Sequence, residues 1–300
     1  MSRAKDIQLK VIPSKVANEF VKKHHYSGKV VNNSILHFGA FLDNILHGVM
    51  SFGSPLDKSK VIGLVHKDGK PCLWNEMLEL NRMAFDSFLP KNSESRCISI
   101  SFKLSKKNAP HVKWILSFSD ATQCGDGVIY RASGFFLTNI KVNTSIWETP
   151  EKEIFTDIGL RTGSKQREKA KQVFSRTSLT DGRSKQQQQQ AKNIISRTTA
   201  TEGKHIVENG ASSMKQYKDA GWKPKEGFQL RYIYLLDKTC KITVPILDYS
   251  HIDKLNAGMY RGEKISVKER KLKSVISIGN DAVTNPSEEG GAVPTITHHD

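Results

Sequence analysis

The segment KWILSFSDATQCGDGVIYRASGFF, running from Lys113 to Phe136, decides the fold. Trp114-Ile115-Leu116-Ser117-Phe118 is a run of β-formers with the length of one buried strand. It stops at Ser119-Asp120, which leaves a carboxylate at the strand's carboxyl end. Thr122-Gln123-Cys124-Gly125-Asp126-Gly127 is rich in turn formers. Val128 to Ser133 then reads as a short helix, Gly134 stands where a C-cap glycine belongs, and Phe135-Phe136-Leu137 opens the next strand. Open α/β sheets hold ligands beyond the carboxyl ends of their strands. The reading therefore expects a site between Asp120 and Tyr130.

Upstream, Ile7 to Ile12 alternates as a first strand, and Pro13-Ser14 opens a helix to about Lys23 with Val16, Ala17, Phe20 and Val21 on one face. A polar loop, His24-His25-Tyr26-Ser27-Gly28, follows. Two strands, about Ser34 to Leu42 and Ile45 to Phe52, are joined by the tight-turn pair Asp43-Asn44 and form a hairpin. Residues 56 to 73 read as a loop or short excursion. Trp74 to Phe85 is extended again, and a helix is expected from about Arg96 to Lys107. The order β, α, β, β, β, α, β, α, β places the chain in the α/β (α+β) class, as a mixed central sheet flanked by helices.

Of the 300 residues, 46 are Lys or Arg and 30 are Asp or Glu, a net charge of +16. A field of that size attracts polyanions, and nucleic acid is the commonest for a soluble protein. The bland alternative is a merely basic protein. The cysteines (Cys72, Cys97, Cys124, Cys240) lack a CxxC pair and fit a reducing compartment rather than a disulfide scaffold or zinc site. No apolar run approaches the ~18 residues of a membrane span, and the amino terminus lacks a signal peptide's apolar core. A soluble, cytoplasmic protein is expected.

Composition divides the chain into a core over 1–143, an insertion over 144–213, a strand rejoining the core over 214–248, and a terminal segment over 249–300. Between Arg161 and Lys204 there are eleven Lys or Arg against three acids, together with the run Gln186–Gln190. That is a basic arm, either disordered or a solvated helix pair. Its Arg161, Lys165, Arg167, Lys169, Lys171 and Arg176 are candidate nucleic-acid-binding residues, joined by Lys268, Arg270 and Lys271 from a second basic stretch, Arg261 to Lys273. Gly227 to Leu236 alternates strongly enough to be a sheet strand. The stretch from Ser274 carries four acids and no Lys or Arg and reads as a flexible tail.

Taken in order, several blocks resemble the phage Mom family of DNA adenine modification proteins, on a topology similar to the GNAT acyltransferase fold. They are His25-Tyr26-Ser27-Gly28, Phe38-Gly39, Gly48-Val49-Met50-Ser51-Phe52-Gly53, Glu79-Leu80-Asn81-Arg82, Ser95, Ser117-Phe118-Ser119-Asp120-Ala121, Gly127 to Phe135, and Phe228-Gln229-Leu230-Arg231-Tyr232. They cover about residues 7–140 and 222–237. The resemblance implies an enzyme that transfers a carbamoylmethyl (acetamido)-type group to N6 of adenine in double-stranded DNA, hiding that DNA from restriction. It also implies that Arg82, Ser95, Asp120 and Tyr130 are needed for activity.

The residue types suit those roles. Adenine N6 is a weak nucleophile whose proton must be accepted or hydrogen-bonded during attack, and Asp120 is the candidate base or orienting group; the alternative is a turn or capping carboxylate. Tyr130 could protonate a leaving group or be a half-buried core residue. Arg82 could grip a phosphate or carboxylate, or pair with Glu79 or Glu94. Ser95, expected at a helix start, caps the helix, helps form an anion pocket, or does both. His25 and Tyr26 are expected to line the pocket for an extruded adenine, with Ser119 and Arg131 completing the substrate-binding set. Adjacent His24 and His25 do not easily face one metal and no third ligand is evident, so iron lacks support in the sequence.

The donor stays open. GNAT enzymes usually cradle the pyrophosphate of coenzyme A in a glycine-rich loop, whereas Pro90-Lys91-Asn92-Ser93-Glu94-Ser95 has no glycine. Close phosphate approach and positive φ both favour glycine. Acetyl-CoA therefore competes with a donor carried on tRNA, such as a glycyl-tRNA. Two other readings remain: an ordinary GNAT N-acetyltransferase acting on a protein or small amine, and a non-catalytic nucleic-acid-binding protein.

Overall fold

The computed structural model describes residues 3–157, 160, 168–170, 172–173, 217–218 and 221–273. Arg161, Lys165, Arg167, Lys171 and Arg176 lie outside the described residues, as do most of the basic arm and the stretch after Lys273.

A seven-stranded sheet organises the chain. Its strands are β1 (Gln8–Val11), β2 (Ser34–Leu42), β3 (Ile45–Gly53), β6 (Met77–Phe85), β7 (Trp114–Asp120), β12 (Phe228–Leu235) and β8 (Phe136–Val142), in that spatial order. Every neighbouring pair is antiparallel except β6–β7. The expected mixed α/β sheet is therefore present. The β2–β3 hairpin turns on Asp43 (φ 51°) and Asn44 (φ 63°), since two consecutive positive φ values match the twist of a tight hairpin.

Alternation along the strands assigns each face. On one face, Ala17 and Val21 of α1 (Ser14–His24) pack with Val49 and Ala84. The other face carries Met50, Leu78, Leu80, Ile115 and Leu230 beneath α2 (Ser93–Asn108), which contributes Cys97, Ile98 and Phe102, and beneath α3 (Val128–Ala132), which contributes Tyr130. α2 begins three residues before the expected Arg96, because Asn92 takes up the left-handed φ of 69° ahead of Ser93.

Residues 56–73, expected as a loop, instead supply β4 (Val65–Lys67) and β5 (Lys70–Pro71), which join β13 (Lys241–Ile242) in a small sheet. That sheet covers Trp114, Leu116, Ile233 and Leu235 on the α1 face. β9 (Ile146–Glu148), β10 (Ile154–Thr156) and β11 (Lys223–Pro224) form a second small sheet. Its apolar cluster holds Trp147, Phe155, Tyr217 and Trp222, so part of the composition-defined insertion packs around aromatic residues.

After Pro245 the chain continues to pack on the core. α4 (Ser250–Lys254), β14 (Met259–Tyr260) and β15 (Glu263–Lys264) lead to helical residues 267–273. Ile252, Ala257 and Met259 enter the main core, and the Leu247 amide donates to the Leu137 carbonyl at 2.8 Å. Single apolar residues spaced among polar ones carry this packing, and no periodicity announces them.

Candidate active site

The parallel pair makes the site. β6 and β7 are paired only from Met77 to Leu80 and from Trp114 to Ser117. Beyond that point β6 follows β3 and β7 follows β12, so the two strands part and leave a notch open at their carboxyl ends. At the fork, the Ser117 hydroxyl donates to the Leu80 carbonyl at 2.9 Å.

A bulge sets what faces the notch. Ser51 and Phe52 are consecutive on β3 but stand opposite Arg82 and Leu80, which leaves Asn81 as the extra residue. Glu79 and Arg82, three apart, would point to opposite faces of a regular strand. The bulge brings both onto the α1 face, the face that also carries Ala84. Regular alternation through Trp114 and Leu116 puts Asp120 on that face too.

Asp120 holds a turn and faces the notch at once. Its Oδ1 accepts from the Thr122 amide at 2.9 Å, and its carbonyl accepts from the Cys124 and Gly125 amides at 3.0 Å each. Its Oδ2 accepts from Gln123 Nε2 at 3.3 Å and from the Tyr26 hydroxyl at 3.4 Å. Tyr26 follows α1 and is 51% exposed. Burial of its hydroxyl end and the neighbouring Asp120 charge push its phenol well above the ordinary range.

Arg82 donates from Nε to the Lys29 carbonyl at 2.8 Å and from Nη1 to the Asn81 carbonyl at 2.7 Å. Among the described residues it forms no ion pair, so the expected alternative of pairing with Glu79 or Glu94 is not realised. Its guanidinium charge adds to burial in lowering His25 to about 4, which keeps that imidazole neutral. His25 Nδ1 accepts from the Ser27 amide at 3.2 Å, leaving its proton on Nε2. Among the described residues no group of three or more His, Cys, Asp or Glu is placed to hold a metal ion.

Tyr130 reaches the fork from the other face, its hydroxyl beside Ser117. It belongs to the core under α2 and α3, with its ring 5.2 Å from Tyr232 and 5.2 Å from Phe135. Burial pushes its phenol up to about 12, against the pull of the adjacent Ser117 hydroxyl. Asp120 and Tyr130 thus approach the notch from opposite faces of the sheet and share no hydrogen bond. The phenol that meets Asp120 is Tyr26.

The other expected site residues are engaged elsewhere. Ser95 lies in the first turn of α2 and donates to the Asn92 carbonyl at 3.1 Å. The Ser119 hydroxyl donates to the Gly125 carbonyl at 2.6 Å. Arg131 pairs at 2.9 Å with the fully buried Asp126, which also receives a bidentate pair from Arg270. Neither guanidinium is presented to solvent as a DNA contact or a substrate clamp would be. Lys169 pairs with Glu153 at 2.8 Å and lies over the Phe155 ring. Lys268 and Lys271 are exposed beside Asp248 and Asp253.

Sequence reasoning named Glu79 only as an ion-pair alternative for Arg82, because the register of β6 on β7, which sets its direction, has no local signal. It missed Asp126, which sits in the turn Gly125-Asp126-Gly127 where a buried carboxylate has no sequence signal.

The fold and notch define an α/β protein with a mixed central sheet. The Mom protein family profile matches residues 6–191, more than half of the chain, and the chain belongs to that family. It is 36% identical over 133 residues to the methylcarbamoylase mom of Escherichia phage Mu. That match covers 44% of this chain and 53% of the relative, so the chain spans about half of the relative's length. Similar solved structures include a GNAT family acetyltransferase from Elizabethkingia anophelis with acetyl-CoA bound, at 12% identity and TM-score 0.32, covering 45% of this chain and 80% of that one. A Bacillus subtilis acetyltransferase in complex with CoA aligns at 11% identity and TM-score 0.34, covering 76% of this chain and 97% of that one. Among the described residues no helix is long and apolar enough to cross a membrane.

Proposed function

We propose that this chain is a transferase that converts N6 of adenine in duplex DNA to a carbamoylmethyl (acetamido)-type derivative, protecting the DNA from restriction. The observation that carries the reading is the half-exposed Tyr26 whose hydroxyl meets Asp120 at the open end of the notch, with Arg82 on the same face. In this reading a flipped adenine stacks on the Tyr26 ring, and Asp120 accepts a hydrogen bond from the N6 amine and orients it. Extrusion costs a few kcal/mol. The net charge of +16 offsets part of that through phosphate contacts.

The amino end of α2 lies beyond the carboxyl end of β6, where an activated donor would approach. Pro90 to Ser95 carries a Cβ at every position, and Asn92 supplies the one positive φ that a glycine would otherwise give. This disfavours a tight backbone cradle for a pyrophosphate and supports a carrier-borne donor, such as an aminoacyl-tRNA carrying glycine, over acetyl-CoA. Loss of activity on ribonuclease treatment of a reconstituted reaction is the expected result. Full activity with purified acetyl-CoA alone would refute the carrier.

The function itself is tested by mass spectrometry of nucleosides from DNA of cells expressing the chain. A deoxyadenosine heavier by one acetamido unit is expected, and it should vanish with Asp120→Ala. Unaltered adenine throughout would refute the assignment. Coenzyme A binding with acetylation of a protein or small amine would replace it with the ordinary acetyltransferase reading.

A further inference from the structure

We propose that Glu79 is the group that takes the proton from the attacking amine, because its register on β7 places it at the fork on the face that carries Arg82 and Asp120 and no described residue binds it. The inference deepens the reading of the notch as the transfer site and rests on it.

Glu79 stands one residue before the fork, opposite Gly53 on β3 and Leu116 on β7. It is half-buried, and on this face the chain closes over its neighbour Gly53. The Asn33 backbone packs against Gly53 so closely that a Cβ there would fall 2.1 Å from the Asn33 carbonyl oxygen. The groups facing this part of the notch are Arg82 from the same strand, His25 and Tyr26 from the loop after α1, Asp120 from β7 and Tyr130 from α3. His25 is held neutral. Among these, the Arg82 charge is what acts on Glu79, and it only partly offsets burial, which raises the carboxyl to about 7. A base works best when its protonation point lies near the working pH.

Asp120 is poorly suited to the same task. Both of its oxygens are already engaged as acceptors, from the Thr122 amide, Gln123 and Tyr26. Taking a proton would disturb the turn that it holds. Glu79 loses no hydrogen bond on protonation.

The step balances as follows. The amine lone pair forms the bond to the carbonyl carbon of a glycyl ester donor, while one N–H proton passes to Glu79. The bond from that carbon to the donor heteroatom breaks and the heteroatom keeps the electron pair. The proton then moves from Glu79 to that heteroatom, directly or through water, and the carboxylate is restored. The glycyl amide so formed is an isomer of the carbamoylmethyl product. It becomes that product when the glycyl amine adds to adenine C6 and the original C6–N6 bond breaks, the released nitrogen becoming the carbamoyl NH2.

The test compares Glu79→Gln and Glu79→Asp with the wild-type chain by nucleoside mass spectrometry of DNA from expressing cells. Glu79→Gln is expected to lose at least about a hundredfold of the modification, within the range of acid–base catalysis. Glu79→Asp should keep a measurable part. Thermal unfolding at pH 8 serves as the folding control, and Glu79→Gln should melt no lower than wild type because it removes a charge that burial disfavours. Wild-type levels of modified adenine with Glu79→Gln would overturn the inference. If wild-type DNA is itself unmodified, the functional reading fails and Glu79 is judged separately, by carboxyl carbon-13 NMR titration of the full chain. A midpoint near 7 is expected, and one near the ordinary 4.5 would overturn the inference on its own.

Discussion

Asp126 is fully buried and holds the carboxyl-terminal segment against the turn that seats Asp120. Its carboxylate accepts from Arg131 at 2.9 Å, from Arg270 at 3.2 and 2.5 Å, and from the Met259 amide at 3.3 Å. The same segment adds two backbone bonds to the turn, Asp126 amide to Met259 carbonyl at 2.9 Å and Gly262 amide to Cys124 carbonyl at 2.8 Å. Asp126→Ala strands two guanidinium groups whose side chains are only 12% and 15% exposed. Removing one partner of a buried pair costs about 3–5 kcal/mol. Arg270→Ala removes two charge-assisted bonds but leaves Asp126 paired with Arg131, so a smaller loss of about 2–3 kcal/mol is expected. Residues that share a network do not add, and the double variant should be more stable than the sum of the single losses by about 1–3 kcal/mol. Urea unfolding midpoints at constant slope measure all three. Additive losses, or an Asp126→Ala variant as stable as wild type, would refute the claim that residues 257–273 are clamped to the site through this carboxylate.

Other expectations are equally open to measurement. Tyr26→Phe should leave stability within about 0.5 kcal/mol of wild type, as its bond to Asp120 is long at 3.4 Å. Tyr26→Ala should weaken binding of a duplex carrying an unpaired adenine by about 1–3 kcal/mol through lost stacking, read by fluorescence anisotropy. His25 is lowered from 6.5 to about 4 by burial and Arg82, so the unfolded chain takes up a proton between those values that the folded chain refuses. Stability should therefore fall as pH drops from about 6.5 toward 4, and His25→Asn should flatten that limb of the pH–stability curve. Gly127→Ala should destabilise by more than 2 kcal/mol, because φ there is 83° and the added Cβ would lie 2.4 Å from the Tyr232 ring; a smaller loss in urea would contradict this packing. Deleting residues 161–204 removes eleven bases and should flatten the salt dependence of DNA affinity. An unchanged slope would take the arm out of the binding surface.

The order of the main elements was legible because it depends on local signals: alternation in Ile7–Ile12, Asp43-Asn44 at a turn that needs positive φ, and Pro13 before a helix. The parallel pairing of β6 with β7 gave no local signal, and it alone creates the notch. The bulge at Asn81 was likewise hidden, since one extra residue reverses side-chain direction without altering composition. For that reason Asp120 and Arg82 could be singled out from their types, while the side of the sheet from which each partner comes could not. Tyr130 looked like the partner of Asp120 by proximity along the chain. The actual neighbour, Tyr26, lies 94 residues away and arrives through the packing of α1 on the same face. Short apolar islands such as Ile252 and Met259 reached the core on long-range contacts, which composition reads as a thinning tail.

The most direct test of the central claim is a structure of the chain bound to duplex DNA containing its target adenine. The account predicts that base flipped out, its ring stacked on Tyr26 and N6 within hydrogen-bond distance of Asp120. An adenine left paired in the duplex, or seated against Tyr130 on the opposite face, would contradict it.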